Sequence, residues 1–592
     1  MLKLLKRLGK KEIGFAVVCL VFIVAQVWLD LKLPDYMSEV TKLVQSEGTK
    51  VNDVVLQGGK MLSCALGSLL SSIIVGYFVS LIAAGFSKNL RRDVFRKVQD
   101  FSMEEIKRFS TSSLITRTTN DVMQVQMLIA MGLQVIIKAP ITAVWAVLKI
   151  LGKSWQWSLV TASAVAVLLI VISILISVVL PRFKKVQRLT DSINELTREN
   201  LTGIRVVRAF NAEKYQEEKF DKANLELTQT QMLNQRVMAI MSPVMTSIMS
   251  GISLAIYWIG AYLINKAALL DKITLFSDMV VFSSYAIQVV MSFMLLSFIF
   301  ILYPRAAVSA KRILEVLSTK SRIKDGEINS LDKFQMKNKG TIEFKNVSFK
   351  YPDAEEYMLK DISFKASQGQ TIAFIGSTGS GKSTLINLIP RFYDATDGEV
   401  LVDGINVKEY TQEFLHDKIG YISQKAVMFD GTVESNVTYG MDEESTNASE
   451  ENVQHALGIA QATEFVSKME NGIDSHIARG GTNISGGQKQ RLSIARAIAK
   501  RPDIYIFDDT FSALDYQTDF KLRKALSDEV GNATVLIVAQ RIGTIKNADE
   551  IIVLDEGKVV GRGKHKELLK NCEVYLQIAR SQLSEEEINN EE

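Results

Sequence analysis

The run Gly376-Ser377-Thr378-Gly379-Ser380-Gly381-Lys382-Ser383 has the spacing of a phosphate-binding loop. It follows an apolar strand-like stretch, 371–375, and opens a helix-like one, 383–388. Glycines at these intervals let backbone N–H groups close around phosphate oxygens. Lys382 adds a point charge for the β- and γ-phosphates, Ser383 an oxygen ligand for Mg2+, and the helix N-terminus its positive dipole end, with Thr384 next in the same cradle. A second constellation, Asp503-Ile504-Tyr505-Ile506-Phe507-Asp508-Asp509, reads as a buried strand ending in two carboxylates. Asp508 is suited to hold Mg2+, directly or through water. Together the two runs predict a site for ATP and Mg2+.

Between them stands Ile484-Ser485-Gly486-Gly487-Gln488-Lys489-Gln490-Arg491, which resembles the signature sequence of ATP-binding-cassette (ABC) proteins. The resemblance implies that Ser485, Gly486, Gly487 and Gln488 sit at a helix N-terminus and close on the γ-phosphate of ATP held by an opposite cassette. It also implies that Tyr351 stacks on adenine, that Gln424 in Tyr421-Ile422-Ser423-Gln424 links Mg2+ to the membrane domain, and that Ser512-Ala513-Leu514-Asp515 is the loop following the magnesium aspartate.

Three positions depart from that family's pattern. Its usual glutamate after the magnesium aspartate, which positions the attacking water, is Asp509. One methylene fewer retracts the carboxylate by about 1 Å, and misplacement on that scale costs about a hundredfold in rate. The usual switch histidine is Gln540, which hydrogen-bonds but carries neither proton nor charge. An acidic residue expected before the signature is Ala478. With the ATP-gripping residues intact and two hydrolytic positions altered, the chain resembles the degenerate-site subunit of bacterial heterodimeric multidrug exporters. The implied partner is an unlike half-transporter with the ordinary glutamate and histidine.

The elements that must position these residues differ between the two halves of the 592-residue chain. Apolar stretches near 13–33, 61–86, 127–152, 155–180, 237–264 and 276–303 are long enough to cross a bilayer as helices, which takes roughly 20 residues. The basic start (Lys3, Lys6, Arg7, Lys10, Lys11) reads as an interfacial helix, with no convincing cleavage site after the first span. Lys and Arg clusters at 88–97, 182–185 and 305–312 put those ends in the cytosol with the N terminus. The loop 34–60 then lies outside. The cytosolic connections 87–126 and 181–236 have almost no Gly or Pro and read as helical hairpins; 113–122 and 203–210 resemble the exporter hairpins whose tips carry coupling helices.

The expected fold is therefore an α-helical membrane domain of six transmembrane helices with long cytosolic helical extensions, fused to an α/β P-loop ATP-binding-cassette domain. Its expected divisions are a membrane domain (1–317), a polar linker (318–340), a nucleotide-binding domain (341–580) and an acidic tail (581–592), in which 584–592 is expected to be disordered. The membrane is the cell membrane.

A net charge of +4 is too small at this length to point to nucleic acid. Cys19, Cys64 and Cys572 lie too far apart for a disulfide framework or a zinc site. Met238, Met241, Met245 and Met249, with Phe282, Tyr285, Met291, Phe293, Met294, Phe298 and Phe300, either pack ordinarily or in part line a cavity for drugs or other amphipathic molecules. Lys138, within a span, is the ionisable residue with the best claim to function; Lys149 and Asp278 are near enough to the outer ends to reach water. A lipid, peptide or metal-chelate cargo, or an ATP-gated channel or regulatory protein, is the alternative.

Overall fold

The computed structural model describes residues 2–46, 48–151, 154–330, 338–441 and 446–591. Residues 331–337 of the expected linker, and the Phe298 and Phe300 side chains, lie outside the described residues. Two compact units form, one from Met1–Gln99 with Thr111–Thr319, the other from Asp100–Ser110 with Lys320–Glu592.

Among the described residues of the first unit, six helices are long and apolar enough to cross a membrane: Lys10–Gln45, Val51–Gln99, Thr111–Ile150, Trp155–Thr202, Glu213–Lys266 and Asp271–Leu296. Several run far past their apolar windows. Val51–Gln99, at 49 residues, is on the order of 70 Å long, more than twice the hydrocarbon thickness. The arms of the second cytosolic hairpin, Trp155–Thr202 and Glu213–Ala239, are joined by Lys185 to Glu226 at 2.9 Å and Lys219 to Glu199 at 3.3 Å. They turn through the short helix Ile204–Ala209, inside the expected 203–210. The first hairpin, expected over 87–126, turns through Met103–Phe109, so 113–122 belongs to its returning arm.

The predicted outer loop 34–60 is mostly helix. Lys10–Gln45 continues through Pro34, and the next helix begins at Val51. Tertiary bonds hold the turn that proline weakens: the Tyr285 hydroxyl lies 2.9 Å from Leu31 O and 2.6 Å from Asp35 Oδ1, its one proton shared between the two acceptors. Lys138 is ion-paired, its Nζ 3.2 Å from Asp30 Oδ2, while Lys149 Nζ lies 2.7 Å from Asp35 Oδ2.

In the second unit a six-stranded sheet runs in the order Lys558–Gly563, Glu550–Asp555, Thr371–Gly376, Thr534–Val538, Ile504–Asp508, Ile419–Ile422, parallel except for its first strand. Ile504–Asp508 and Thr534–Val538 are buried at every residue, which is why they read as continuous apolar runs and not alternating ones. A four-stranded antiparallel sheet built on Ile342–Phe349 packs its inner face, including Phe344 and Phe364, with Phe374 of the large sheet.

The described part of the expected linker is tied to this unit: Gly326 N donates to Tyr410 O at 2.9 Å and Ile328 N to Glu409 O at 3.0 Å. The acidic tail is also ordered where described. Glu585–Glu591 is a helix whose start is held by Ser584 N donating to Glu587 Oε2 at 3.0 Å, and Ile588 is buried in the core. One apolar side chain at helical spacing, with a capping pair, outweighs the acidic composition.

Candidate active site

Three neighbouring parallel strands end side by side. Register pairs Val538 with both Phe374 and Asp508, so the loop after Gly376, the carboxylates at 508–509 and Gln540 leave the same edge of the sheet. In open parallel sheets that C-terminal edge is where ligands bind.

The loop 376–381 leads into the helix Lys382–Asn387. Gly376 (φ 157°) passes so close to Leu554 O that a Cβ would collide with it, and at Gly381 (φ 99°) a Cβ would stand 2.7 Å from Leu359 Cδ2. Lys382 Nζ donates to Gly376 O at 2.8 Å, Ser377 O at 2.7 Å and Ser380 Oγ at 3.3 Å, which curls the ammonium into the loop. Burial pushes its pKa down, opposed by the charges of Asp509 and Asp508.

Ser383 Oγ donates to Asp508 Oδ1 at 2.8 Å, and Tyr421 reaches Asp508 Oδ2 at 3.5 Å while donating to Asn387 Oδ1 at 3.0 Å. Asp508 and Asp509 are only 6% and 8% exposed. Burial, the largest cause for each, raises both carboxyls above the ordinary value, against the donors that lower them. Two adjoining buried carboxylates beside a hydroxyl form an anionic oxygen donor set, which suits Mg2+. Ser383, Asp508 and, across the site, Gln424 could hold the ion, which when bound would neutralise phosphate charge.

Asp509 sits in the left-handed region (φ 47°) just beyond its strand. Its Oδ2 accepts from Gln424 Nε2 at 3.1 Å and from Gln540 Nε2 at 2.8 Å. The three residues singled out for hydrolysis thus meet at one oxygen. Gln582, which sequence reasoning missed, braces this corner: its Nε2 donates to Gln540 O at 2.7 Å and its Oε1 accepts from Ile542 N at 2.8 Å. Lying in the C-terminal segment, it has no motif that could flag it.

Tyr351 is half-buried, and its hydroxyl shares a hydrogen bond of 3.0 Å with Thr384 Oγ1. That bond ties the predicted base-stacking ring to the helix that follows the predicted phosphate loop. Ser485 N-caps the helix Gly486–Lys500 in a capping box: Gln488 N donates to Ser485 Oγ at 3.3 Å and Ser485 N to Gln488 Oε1 at 2.8 Å. Gln490, nearly fully buried, donates to Ser423 O at 3.3 Å and so anchors this helix to the Gln424 loop. Among the described residues no hydrogen bond or ion pair joins 485–488 to 376–384 of the same chain.

Residues 16–293 match the ABC transporter transmembrane region and residues 359–512 match the ABC transporter family. An uncharacterized ABC transporter ATP-binding protein of Mycobacterium tuberculosis is 38% identical over 551 residues, covering 92% of this chain and 93% of that protein. The chain belongs to the ABC transporters.

Its ATP-dependent lipid A-core flippase relative from Pseudomonas aeruginosa is 31% identical over 517 residues, 87% of this chain and 83% of the flippase. The fold also matches a bacterial Atm1-family ABC exporter with ATP bound, with a TM-score of 0.81 at 21% identity over 97% of this chain and 100% of the other. This chain thus joins a transmembrane region to an ABC cassette: it is a multi-pass membrane protein with a cytoplasmic nucleotide-binding domain, using ATP and Mg2+ to drive transport. Half-transporters of this family work as dimers in the bilayer.

Proposed function

We propose that this chain is the slowly hydrolysing half of a heterodimeric exporter that moves drugs or other amphipathic molecules out of the cell. The hydrogen bond from Gln540 Nε2 to Asp509 Oδ2 carries the reading, because it joins the two altered hydrolytic positions directly. Tyr351 and the loop 376–384 grip ATP, Ser383 and Asp508 hold Mg2+ with Gln424, and Asp509 reaches the attacking water poorly. The segment 485–488 completes the ATP site of an unlike partner that has the glutamate and histidine missing here.

A lipid cargo is a second reading, favoured by the likeness to proteins named ATP-dependent lipid A-core flippases. Both readings predict the same division of ATP chemistry. The test is phosphate release by the purified chain alone and with a co-expressed partner half, with and without cargo in vesicles. Slow turnover alone and cargo-stimulated turnover in the pair are expected; brisk turnover by the lone chain would overturn the assignment, as would ion conductance without coupled turnover.

A further inference from the structure

The second unit includes a cytosolic turn, Asp100–Ser110, that delivers a cation to the aromatic ring beside the phosphate loop. Its helix Met103–Phe109 is fixed by a capping box in which Ser102 N and Oγ donate to Glu105 Oε2 at 2.8 and 2.6 Å. Phe101 stacks on Phe109 with centroids 5.6 Å apart. Arg322 ties the turn down, its N donating to Glu105 Oε1 at 3.3 Å and its Nη1 to Glu104 Oε2 at 3.2 Å.

From this braced helix Lys107 Nζ stands 4.7 Å from the centroid of the Tyr351 ring and 5.3 Å from that of Tyr393. The two tyrosines meet edge to face at 86° with centroids 5.4 Å apart, and Phe349 meets Tyr351 at 81° and 4.8 Å. Phe349 and Tyr393 are buried, so Tyr351 is clamped from the core side as well as through its hydroxyl to Thr384. Its orientation is set before any ligand arrives. An ammonium over a ring face and a purine stacked on that face need the same space, and both draw on the same π-surface. Hydrogen bonding to Tyr393 holds the Lys107 ammonium above the ordinary lysine value, so the charge persists at neutral pH.

We propose that Lys107 and the adenine base compete for one face of Tyr351, which makes the 100–110 turn a sensor of nucleotide occupancy. The proposal rests on the reading of Tyr351 as the adenine-stacking residue. The turn is continuous in the chain with the membrane helix ending at Gln99 and with the helix beginning at Thr111. A base that displaces Lys107 therefore loosens one of the attachments holding this turn, while Arg322 and the capping box retain the others.

The test is calorimetric titration of the full-length chain in lipid nanodiscs with ATP and, separately, with inorganic tripolyphosphate. Lys107→Met is expected to tighten ATP by about two- to fivefold, the size of an exposed cation–π contact, and to leave tripolyphosphate unchanged. Lys107→Arg, which keeps a cation on the ring, should behave as the parent. On a Tyr351→Ala background Lys107→Met should have no effect. Weaker ATP binding by Lys107→Met, or an equal shift for both ligands, would overturn the competition while leaving stacking intact. Unchanged ATP affinity in Tyr351→Ala would instead remove the stacking reading, and the sensor with it.

Discussion

Gln540 Nε2 donates to Asp509 Oδ2 at 2.8 Å, and Gln424 Nε2 shares that oxygen at 3.1 Å. Burial makes Asp509 a stronger base than an exposed aspartate. On the proposed reading it is reach, not basicity, that limits this carboxylate. Asp509→Glu combined with Gln540→His is therefore expected to raise phosphate release by the purified chain by about ten- to a hundredfold, the scale that a 1 Å displacement commands. Unchanged steady-state turnover in the double variant would place the block elsewhere. Asp509→Asn, by contrast, should barely alter turnover of the assembled pair.

The carboxyl of Asp508 predicts a pH dependence. Its pKa is raised in the folded chain, chiefly by burial, so the native state binds the proton more tightly than the unfolded state does. Stability is then lost as pH rises from the ordinary value of 3.8 through the raised one. Asp508→Asn removes that cost. Without nucleotide, the variant should melt above the parent at neutral pH, and the gap should shrink as the pH is lowered toward 3.8. Thermal shift by Mg2+ and ATP should be reduced in the same variant. A lower melting temperature at neutral pH would contradict the desolvation argument.

Much of this site was legible because its chemistry depends on residue type at fixed spacing. Lys382, Ser383 and Asp508 stand on one strand edge as their flanking apolar runs implied, and Ser485 begins its helix. The misses have a common cause. Pro34 reads locally as a loop signal, but Tyr285, about 250 residues away in sequence, holds the helix through it. Lys107 and Gln582 act by long-range contact and belong to no motif. The tail 584–591 was misjudged because net acidity says nothing about where Ile588 packs.

The signature glycine Gly486 supplies a separate test of action in trans. It has no positive φ, and a Cβ there would meet nothing within 4 Å, so this chain's own fold does not require glycine. Glycine in a helix is usually a cost compared with alanine. Gly486→Ala should thus leave the melting temperature of this chain equal or slightly higher. Phosphate release by the chain paired with its partner should nevertheless fall, by tenfold or more if backbone approach to the γ-phosphate is what the glycine permits (about 1.4 kcal/mol). A fall in stability of the lone chain would assign the residue to folding instead.

Within the membrane unit, Lys138 and Asp30 are half-exposed partners at 3.2 Å, and the other oxygen of Asp30 accepts from Ser68 Oγ. An unpaired carboxylate among apolar helices is costlier than no charge at all. Lys138→Met should therefore destabilise the detergent-solubilised chain by about 1–3 kcal/mol, between the values for exposed and buried pairs. Asp30→Asn on that background should restore much of the loss, because Ser68 can bond the amide. Thermal melts of the two single variants and the double variant form a complete cycle. Additive losses would show that Lys138 does not depend on Asp30, and a stable single variant that loses transport would give Lys138 a role in the cargo path.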